Sequence, residues 1–440
     1  MFLVKKNKLK NIKSPGRDSN PRPSAYKADA LPAKPPGLNF YNKIKYKYLI
    51  FIEVVDEFQP IQILIDFFIM LAIGNLVILF SKKLKFSAPL LLLITGILLS
   101  PNTFGLNILG NSGVLFFFLY LSIFFVILGL VLDFPLLKIR EYSFLIFIVA
   151  VIEIFFVTAS LYYFNLIFFN LSMLDSFFIA FSIAITSQTI LFELIHYKFK
   201  TKTLVTIIRG IIFLENLTAI FFLSLLNIIF PEHELSRFEF FFRIFLLTAF
   251  VGSLIVVGGY FIPKFINKIY TKRDILFIYI LILVSLIAIG GIFIGISPYT
   301  LIFILGMIIG VTKAKSTINE IIYPLKSIFS IFFFVIAGTL VNISYLTLLY
   351  PIILFIIAFG ALIKYFSIVY PLLSFGYVSK KNLPLISFMQ PGETTLIIAL
   401  IAYLSNLISY FAFNLIFFVI IFISIFNYLF SYFIKKFIKE

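Results

Sequence analysis

The chain has 440 residues, 62% of them apolar and only 12% charged, with a mean hydropathy of +1.11. A water-soluble fold needs roughly a quarter of its residues charged to cover its outside, so soluble enzymes are excluded and an all-α polytopic membrane protein is expected. The 36 Lys and Arg against 19 Asp and Glu give a net charge of +17, which in a membrane protein marks basic cytoplasmic loops and not a nucleic-acid partner.

There is no Cys, and the two His are His196 and His233. Thiol chemistry, disulfides and a Cys- or His-rich metal site are therefore not expected, and neither is a cofactor. Any interfacial aromatic belt must come from the 23 Tyr, since Trp is absent.

The first segment does not match the rest. Residues 14–37 (SPGRDSNPRPSAYKADALPAKPPG) hold six of the 18 Pro and have no apolar run of the kind a signal peptide needs. As protein, the stretch reads as disordered. Asp18-Ser19-Asn20-Pro21 can also be written GAT-TCG-AAC-CC, the opposite strand of the T-arm element of tRNA genes. Residues 1–48 are therefore expected to be a leader ahead of a misassigned start, with translation beginning near residue 49.

A bilayer core about 30 Å thick needs roughly 20 apolar residues per helix. Runs of this kind, bounded by charge, Pro, Gly or Asn, predict thirteen spans: 61–81, 87–100, 113–132, 143–164, 174–195, 204–228, 238–261, 275–291, 297–311, 322–342, 346–372, 383–404 and 408–434. The second and ninth are short.

Loop charge tests this count, because Lys and Arg collect on the cytoplasmic side. The loops after odd-numbered spans carry 19 cations, from Lys82 and Lys83 to Lys436 and Lys439, and those after even-numbered spans carry one, Arg237. The N-terminus is thus expected outside and the C-terminus in the cytoplasm, in a cell membrane. Lys43, Lys45 and Lys47 fall on the wrong side, and a start near residue 49 removes that conflict.

An ionisable residue inside a transmembrane helix costs about 2.5–3.5 kcal/mol on insertion scales, which makes each one a functional candidate. Asp66 and Arg243 lie near span ends, from which they can snorkel. Glu193, His196 and Arg209 lie toward the cytoplasmic ends of spans 5 and 6, where wet pairing is expected. Glu215 is central in span 6 with Asn216 beside it, Glu153 is central in span 4, Glu393 is central in span 12, and Lys364 lies slightly to the cytoplasmic side of the middle of span 11.

Two spans carry helix-breaking chemistry at mid-depth. Span 12 has Gln390-Pro391-Gly392-Glu393, where Pro removes a donor and Gly permits an irregular turn. Span 5 has Thr186-Ser187-Gln188-Thr189, whose side chains can cap opened backbone. Freed backbone groups at that depth must be buried in protein or line a cavity. By the loop count the two spans run in opposite directions, which points to an inverted-repeat secondary transporter with a mid-membrane ion site.

At this point the residues resemble the Kef-type sodium or potassium/proton antiporters of the monovalent cation:proton antiporter-2 superfamily, over about residues 63–434. Residues 88–106 (APLLLLITGILLSPNTFGL) are similar to that family's P-x-x-x-G-x-x-x-x-G-P-x-x-x-G-L stretch, with Ser100 in place of a Gly. Leu128 to Asp133 resembles its G-L-E-L-D helix end, with Val131 for the Glu. Phe332 to Gly338 resembles F-F-x-x-x-G, and Gly392-Glu393 resembles R-G-E-F, with Pro391 for the Arg.

The resemblance implies two crossed, discontinuous helices in a core domain, about 143–228 and 346–434. The remainder would be a scaffold that forms a homodimer in the lipid membrane. It also implies a carrier pair on span 6 with a Lys nearby on span 11, the role that Lys364 fits. Aligned with the family's F-Q-D-I-A-A-I pattern, residues 214–223 place Glu215 at the Gln and Asn216 at the carrier Asp. An amide can coordinate a cation but cannot carry a proton, so Glu215 is expected to take over the carrier role. Successive helical residues point about 100° apart, so the takeover is expected to require some local unwinding or rotation of the helix.

The expected activity is exchange of Na⁺ or K⁺ for protons by alternating access, with Glu215 and Asn216 holding the cation and Lys364, Thr186, Ser187, Gln188 and Glu393 around them. The alternative is a transporter of the same fold that couples an organic anion to a cation, since the usual carrier Asp is missing. A membrane-embedded transferase is not expected, because the inner loops lack the clustered acids or His that hold metal and phosphate. The chain ends just after span 13, so no nucleotide-binding regulatory domain is expected in it.

Overall fold

A computed structural model describes residues 60–84, 86–100, 112–187, 202–229, 236–294, 296–377 and 391–438. The expected leader 1–48 lies outside the described residues, as do Gln188, Thr189, Glu193, His196 and Gln390.

Among the described residues thirteen apolar helices follow one another, and each falls within or overlaps one expected span. They are α1 (Pro60–Leu84), α2 (Ala88–Leu99), α3 (Ser112–Leu132), α4 (Ser143–Phe168), α5 (Met173–Ala184), α6 (Lys202–Ile229), α7 (Arg237–Ile269), α8 (Arg273–Ile294), α9 (Pro298–Gly310), α10 (Lys315–Thr339), α11 (Leu346–Ser374), α12 (Glu393–Leu404) and α13 (Tyr410–Ile438). A short helical turn, Leu136–Ile139, precedes α4, and α7 contains a π-helical segment at Leu254–Gly258. Eight of the helices are long and apolar enough to cross a membrane, and the fold among the described residues is all-helical.

Within one main buried core, the described helices show two sets of close neighbours. In one, α10 lies against α1, α2 and α3, while α9 packs on α3 and α8. The α2–α10 crossing is very close: a Cβ on Gly96 would meet the Val335 carbonyl oxygen, and one on Gly338 would meet that of Leu93. Small residues allow this approach, which substitutes for the hydrophobic drive that lipid does not supply between helices. In the second group, α4 packs on α5, α6 and α11, and α12 and α13 close against α5.

Contact between the groups runs largely along α6 and α9. Thr300 Oγ1 accepts from Ser224 Oγ at 2.7 Å and donates to the Ile220 carbonyl at 2.6 Å. The Phe213 and Phe303 rings stack there with centroids 5.9 Å apart. Outward-facing aromatics and aliphatics, such as Phe238, Phe245 and Val256 of α7, are exposed, as a lipid-facing surface requires.

Of the short described helices, which also include α2 and α9, two bear on the site. α5 and α12 have 12 residues each, about 18 Å of helix at 1.5 Å per residue, too short to cross a 30 Å core alone. α5 ends at Ala184 and continues extended from Ile185. α12 begins immediately after Pro391-Gly392. The start of α5 is fixed by the Asp175 carboxylate, which accepts from the Ser409 N–H and hydroxyl ahead of α13, both at 2.8 Å.

Asp66 differs from its expected role. It is fully buried in α1 and does not reach out to an interface. Arg243 is exposed, as snorkelling allows.

Candidate functional site

The two chain breaks meet. A Cβ on Gly392 would run into the side chain of Ser187, so the extended segment before α12 passes directly over the one after α5. This is where Gly is needed for close approach and not for its dihedrals. Thr395, one turn into α12, donates its hydroxyl to the carbonyls of Ser182 and Ile185 at 3.0 and 3.1 Å, tying the second break to carbonyls that the end of α5 releases. The Gly392 N–H donates to the same hydroxyl at 3.3 Å.

Three charged side chains from three unbroken helices converge on the end of α5. Glu153 comes from α4, Glu215 from the middle of α6, and Lys364 from α11. The two carboxylates are 0% exposed and the lysine 2%. Lys364 Nζ is 3.1 Å from Glu153 Oε1 and 3.9 Å from Glu215 Oε2. The ammonium also donates to the Ala184 carbonyl at 2.5 Å and that of Ile183 at 3.4 Å, the last carbonyls of α5, which carry the negative end of its dipole.

Glu215 and Asn216 hold the backbone of one residue, Thr186, between them. The Thr186 N–H donates to Glu215 Oε2 at 2.7 Å, while Asn216 Nδ2 donates to the Thr186 carbonyl at 3.4 Å and to the Ile212 carbonyl at 2.6 Å. Of the local unwinding or rotation expected around Glu215, no unwinding is present. α6 is helical from Lys202 to Ile229, and the opened strand of α5 reaches both residues.

Among the described residues, several buried oxygens here have no hydrogen-bond partner: Glu215 Oε1, Asn216 Oδ1, Thr186 Oγ1 and Ser182 Oγ. A buried polar atom left unsatisfied costs about 1–3 kcal/mol, so a cluster of them points to a group that binds there. These are hard oxygen ligands of the kind that suit hard cations. Among the described residues no three His, Cys, Asp or Glu side chains are grouped to hold a resident metal ion.

Glu393, at the first position of α12, lines a small cavity of about 20 Å³ with Ser87, Pro89, Leu93, Ser187 and Phe334. Ser187 belongs to that cavity and to the crossing. Thr186, Glu215, Asn216 and Lys364 are thus brought together. Gln188 lies outside the described residues.

Sequence reasoning singled out Glu153 as a mid-span carboxylate but assigned it no place in the site. Its pairing with Lys364 joins residues of distant helices, and no sequence spacing reports it. Thr395 and Ser182 were missed altogether. A threonine two residues beyond a mid-span Gly-Glu was the one available signal.

The profile of the family described as "sodium/hydrogen exchanger, transmembrane" matches residues 63–431. No curated protein matches the chain by sequence. Among solved structures, the sodium proton antiporter MjNhaP1 from Methanocaldococcus jannaschii at pH 8 is similar, with a TM-score of 0.68 and 17% identity, over 84% of this chain and 96% of that one. A second structure of the same antiporter, from an electron-microscopy map, gives a TM-score of 0.62 and 16% identity, over 82% and 93% of the two chains. At these identities the likeness speaks for the fold.

Proposed function

The chain belongs to the sodium/hydrogen exchanger family, a family of transporters and not of enzymes, and we propose from that premise that it exchanges a monovalent cation for a proton at Glu215. Cation:proton antiport follows from the family. The residues that perform it are our assignment. The observation that carries the assignment is the fully buried group of Glu215, Glu153 and Lys364 at the end of a broken helix, edged by unsatisfied oxygens.

The charges explain how one site serves two ions. Two ionised carboxylates and one ammonium leave one net negative charge in a low-dielectric interior, where an uncompensated charge is costly. A proton on Glu215, or a cation beside it, neutralises the site, and the two compete. Glu215 Oε1, Asn216 Oδ1 and Thr186 Oγ1 are the oxygens offered to the cation. A negative site favours a cation as cargo over the organic anion that the missing carrier Asp left open.

Alternating access follows if the group of α4, α5, α6, α11, α12 and α13 moves against the other helices, so that the loaded site faces each side in turn. The Kef-type placement within the family rests on the motifs at 88–106, 128–133, 332–338 and 392–393. We further assign the protein to a cell membrane as a homodimer, N-terminus outside and C-terminus in the cytoplasm, the orientation being supported by the 19 cations after odd-numbered spans.

Reconstituted protein in vesicles tests the reading. A pH gradient should dissipate when Na⁺ or K⁺ is added and should persist in Glu215→Gln. Dissipation that continues in that variant would remove Glu215 from the role, and a comparison of Na⁺, K⁺ and Li⁺ identifies the cation.

A further inference from the structure

The peptide that joins Ile185 to Thr186 is held from both sides. Its N–H, on Thr186, donates to Glu215 Oε2 at 2.7 Å. Its C=O, on Ile185, accepts from the Thr395 hydroxyl at 3.1 Å. In a planar trans peptide these two groups point in opposite directions, so the plane is strung between the carboxylate on α6 and a threonine on α12. Ile185 is extended, with φ −83° and ψ 125°, so the regular ladder of α5 no longer fixes that plane. Ile185, Thr186, Glu215 and Thr395 are all buried, which keeps bulk water from replacing either bond.

A group that both donates and accepts fits this place. The Thr395 hydroxyl shares its proton between the Ile185 carbonyl and that of Ser182, at 3.0 Å, and accepts the Gly392 N–H at 3.3 Å. The Ser182 and Gly392 bonds attach it to the end of α5 and the start of α12. The Ile185 bond is the one that reaches the carboxylate.

We propose that Thr395 is a positioning residue for the exchange, setting Glu215 through the Ile185–Thr186 peptide. The proposal rests on the reading of Glu215 as the carrier and adds an uncharged residue, on a different helix, on which the affinity for the cation depends. With the peptide held, the Thr186 N–H occupies Glu215 Oε2 and leaves Oε1 open, and the same residue carries the open Thr186 Oγ1. Once the Ile185 carbonyl is released, the peptide is free to turn. Its N–H then leaves the carboxylate, and the Thr186 hydroxyl moves with it. Two of the three oxygens offered to the cation lose their places together, with no charge added or removed.

Vesicles carrying a luminal pH dye report both the maximal rate of exchange and the Na⁺ or K⁺ concentration that gives half of it. Thr395→Val keeps the shape of the side chain and removes the hydroxyl. It should raise the half-maximal concentration about tenfold, the scale of one hydrogen bond to a charged group. Thr395→Ser, which restores donor and acceptor, should return it to the parental value. A residue that only holds the fold would lower the amount of active protein, and so the maximal rate, at an unchanged half-maximal concentration.

A parental half-maximal concentration in Thr395→Val overturns the proposal, as does a serine variant as impaired as the valine one. Should Thr395→Val fail to fold, Thr395→Ala removes the hydroxyl without filling its place and carries the same expectation and the same refutation. Glu215→Gln run in parallel separates the two readings. Exchange that is lost in Glu215→Gln but keeps its half-maximal concentration in Thr395→Val fails this proposal alone, whereas exchange that survives in Glu215→Gln fails the carrier assignment.

Discussion

Two lysine–carboxylate pairs in this protein have similar lengths and opposite surroundings. Lys326 Nζ lies 2.7 Å from Asp133 Oδ2, with the side chains 24% and 25% exposed. Lys364 lies 3.1 Å from Glu153 with 3% and 0% exposed. The first sits at the end of α3, where Lys315 also donates to the Phe134 carbonyl, and its partners stay within reach of water. The second is sealed among helices and bordered by oxygens that no described residue satisfies. Distance alone does not separate a bridge that fastens helices from one that works. Burial and unsatisfied neighbours do, because only a functional pay-off keeps charge and orphan acceptors together in hydrocarbon.

The comparison can be pressed hardest at Glu215. Glu215→Gln should lower exchange by at least about a hundredfold, as loss of a proton-transferring group does, while the protein still elutes as a folded species. Near-parental flux would make the buried site no more functional than the edge pair.

Lys364→Ala is next. It leaves Glu153 buried without its partner and should cost about 3–5 kcal/mol, read as a clear fall in melting temperature in detergent. A melting temperature matching the parent would show that water reaches Glu153 and that the pair is not sealed.

Gly392→Ala probes the crossing without touching a charge. The added methyl meets Ser187 and should cost about 1–3 kcal/mol by overpacking. Displacing the breaks that hold Thr186 and Thr395 should also slow exchange roughly tenfold, as small misplacements do. Exchange at the parental rate would argue that the contact between the breaks is loose.

The smallest effect belongs to the edge pair. Lys326→Ala should change stability by less than about 1 kcal/mol and leave exchange essentially intact, with any loss shrinking as salt is raised. A severe transport defect would instead promote the Asp133 cluster to a working element.

Much of the architecture was legible beforehand. The thirteen spans emerge from runs of apolar residues, because in a bilayer each helix must satisfy its own backbone and cover itself with carbon. The end of α5 and the start of α12 were legible too, since Pro391-Gly392 disfavours a helix and Thr186-Ser187 can cap an open one. Glu215 and Lys364 stood out because charge at mid-span is costly and rare. What did not emerge was pairing. Glu153 is one central carboxylate among several in the sequence, and nothing along the chain connects it to a lysine on α11. Asp66 looked like a residue able to snorkel, yet packing around α1 buries it, and burial depends on neighbours that no single span reports.

Sequence by itself therefore determined the class of molecule, the number of spans and the list of costly residues, all of which follow from one-dimensional hydropathy and the price of charge in lipid. Only the tertiary structure decided which of those residues meet. The nearer of the two carboxylates to Lys364 is the one the sequence left unassigned, because distances between side chains on α4, α6 and α11 are set by how the helices cross. The tertiary structure also placed Glu215 and Asn216 on the backbone of one residue, Thr186, beyond the end of α5 while their own helix stays intact, a geometry that depends on where α5 ends and not on the spacing of residues along α6.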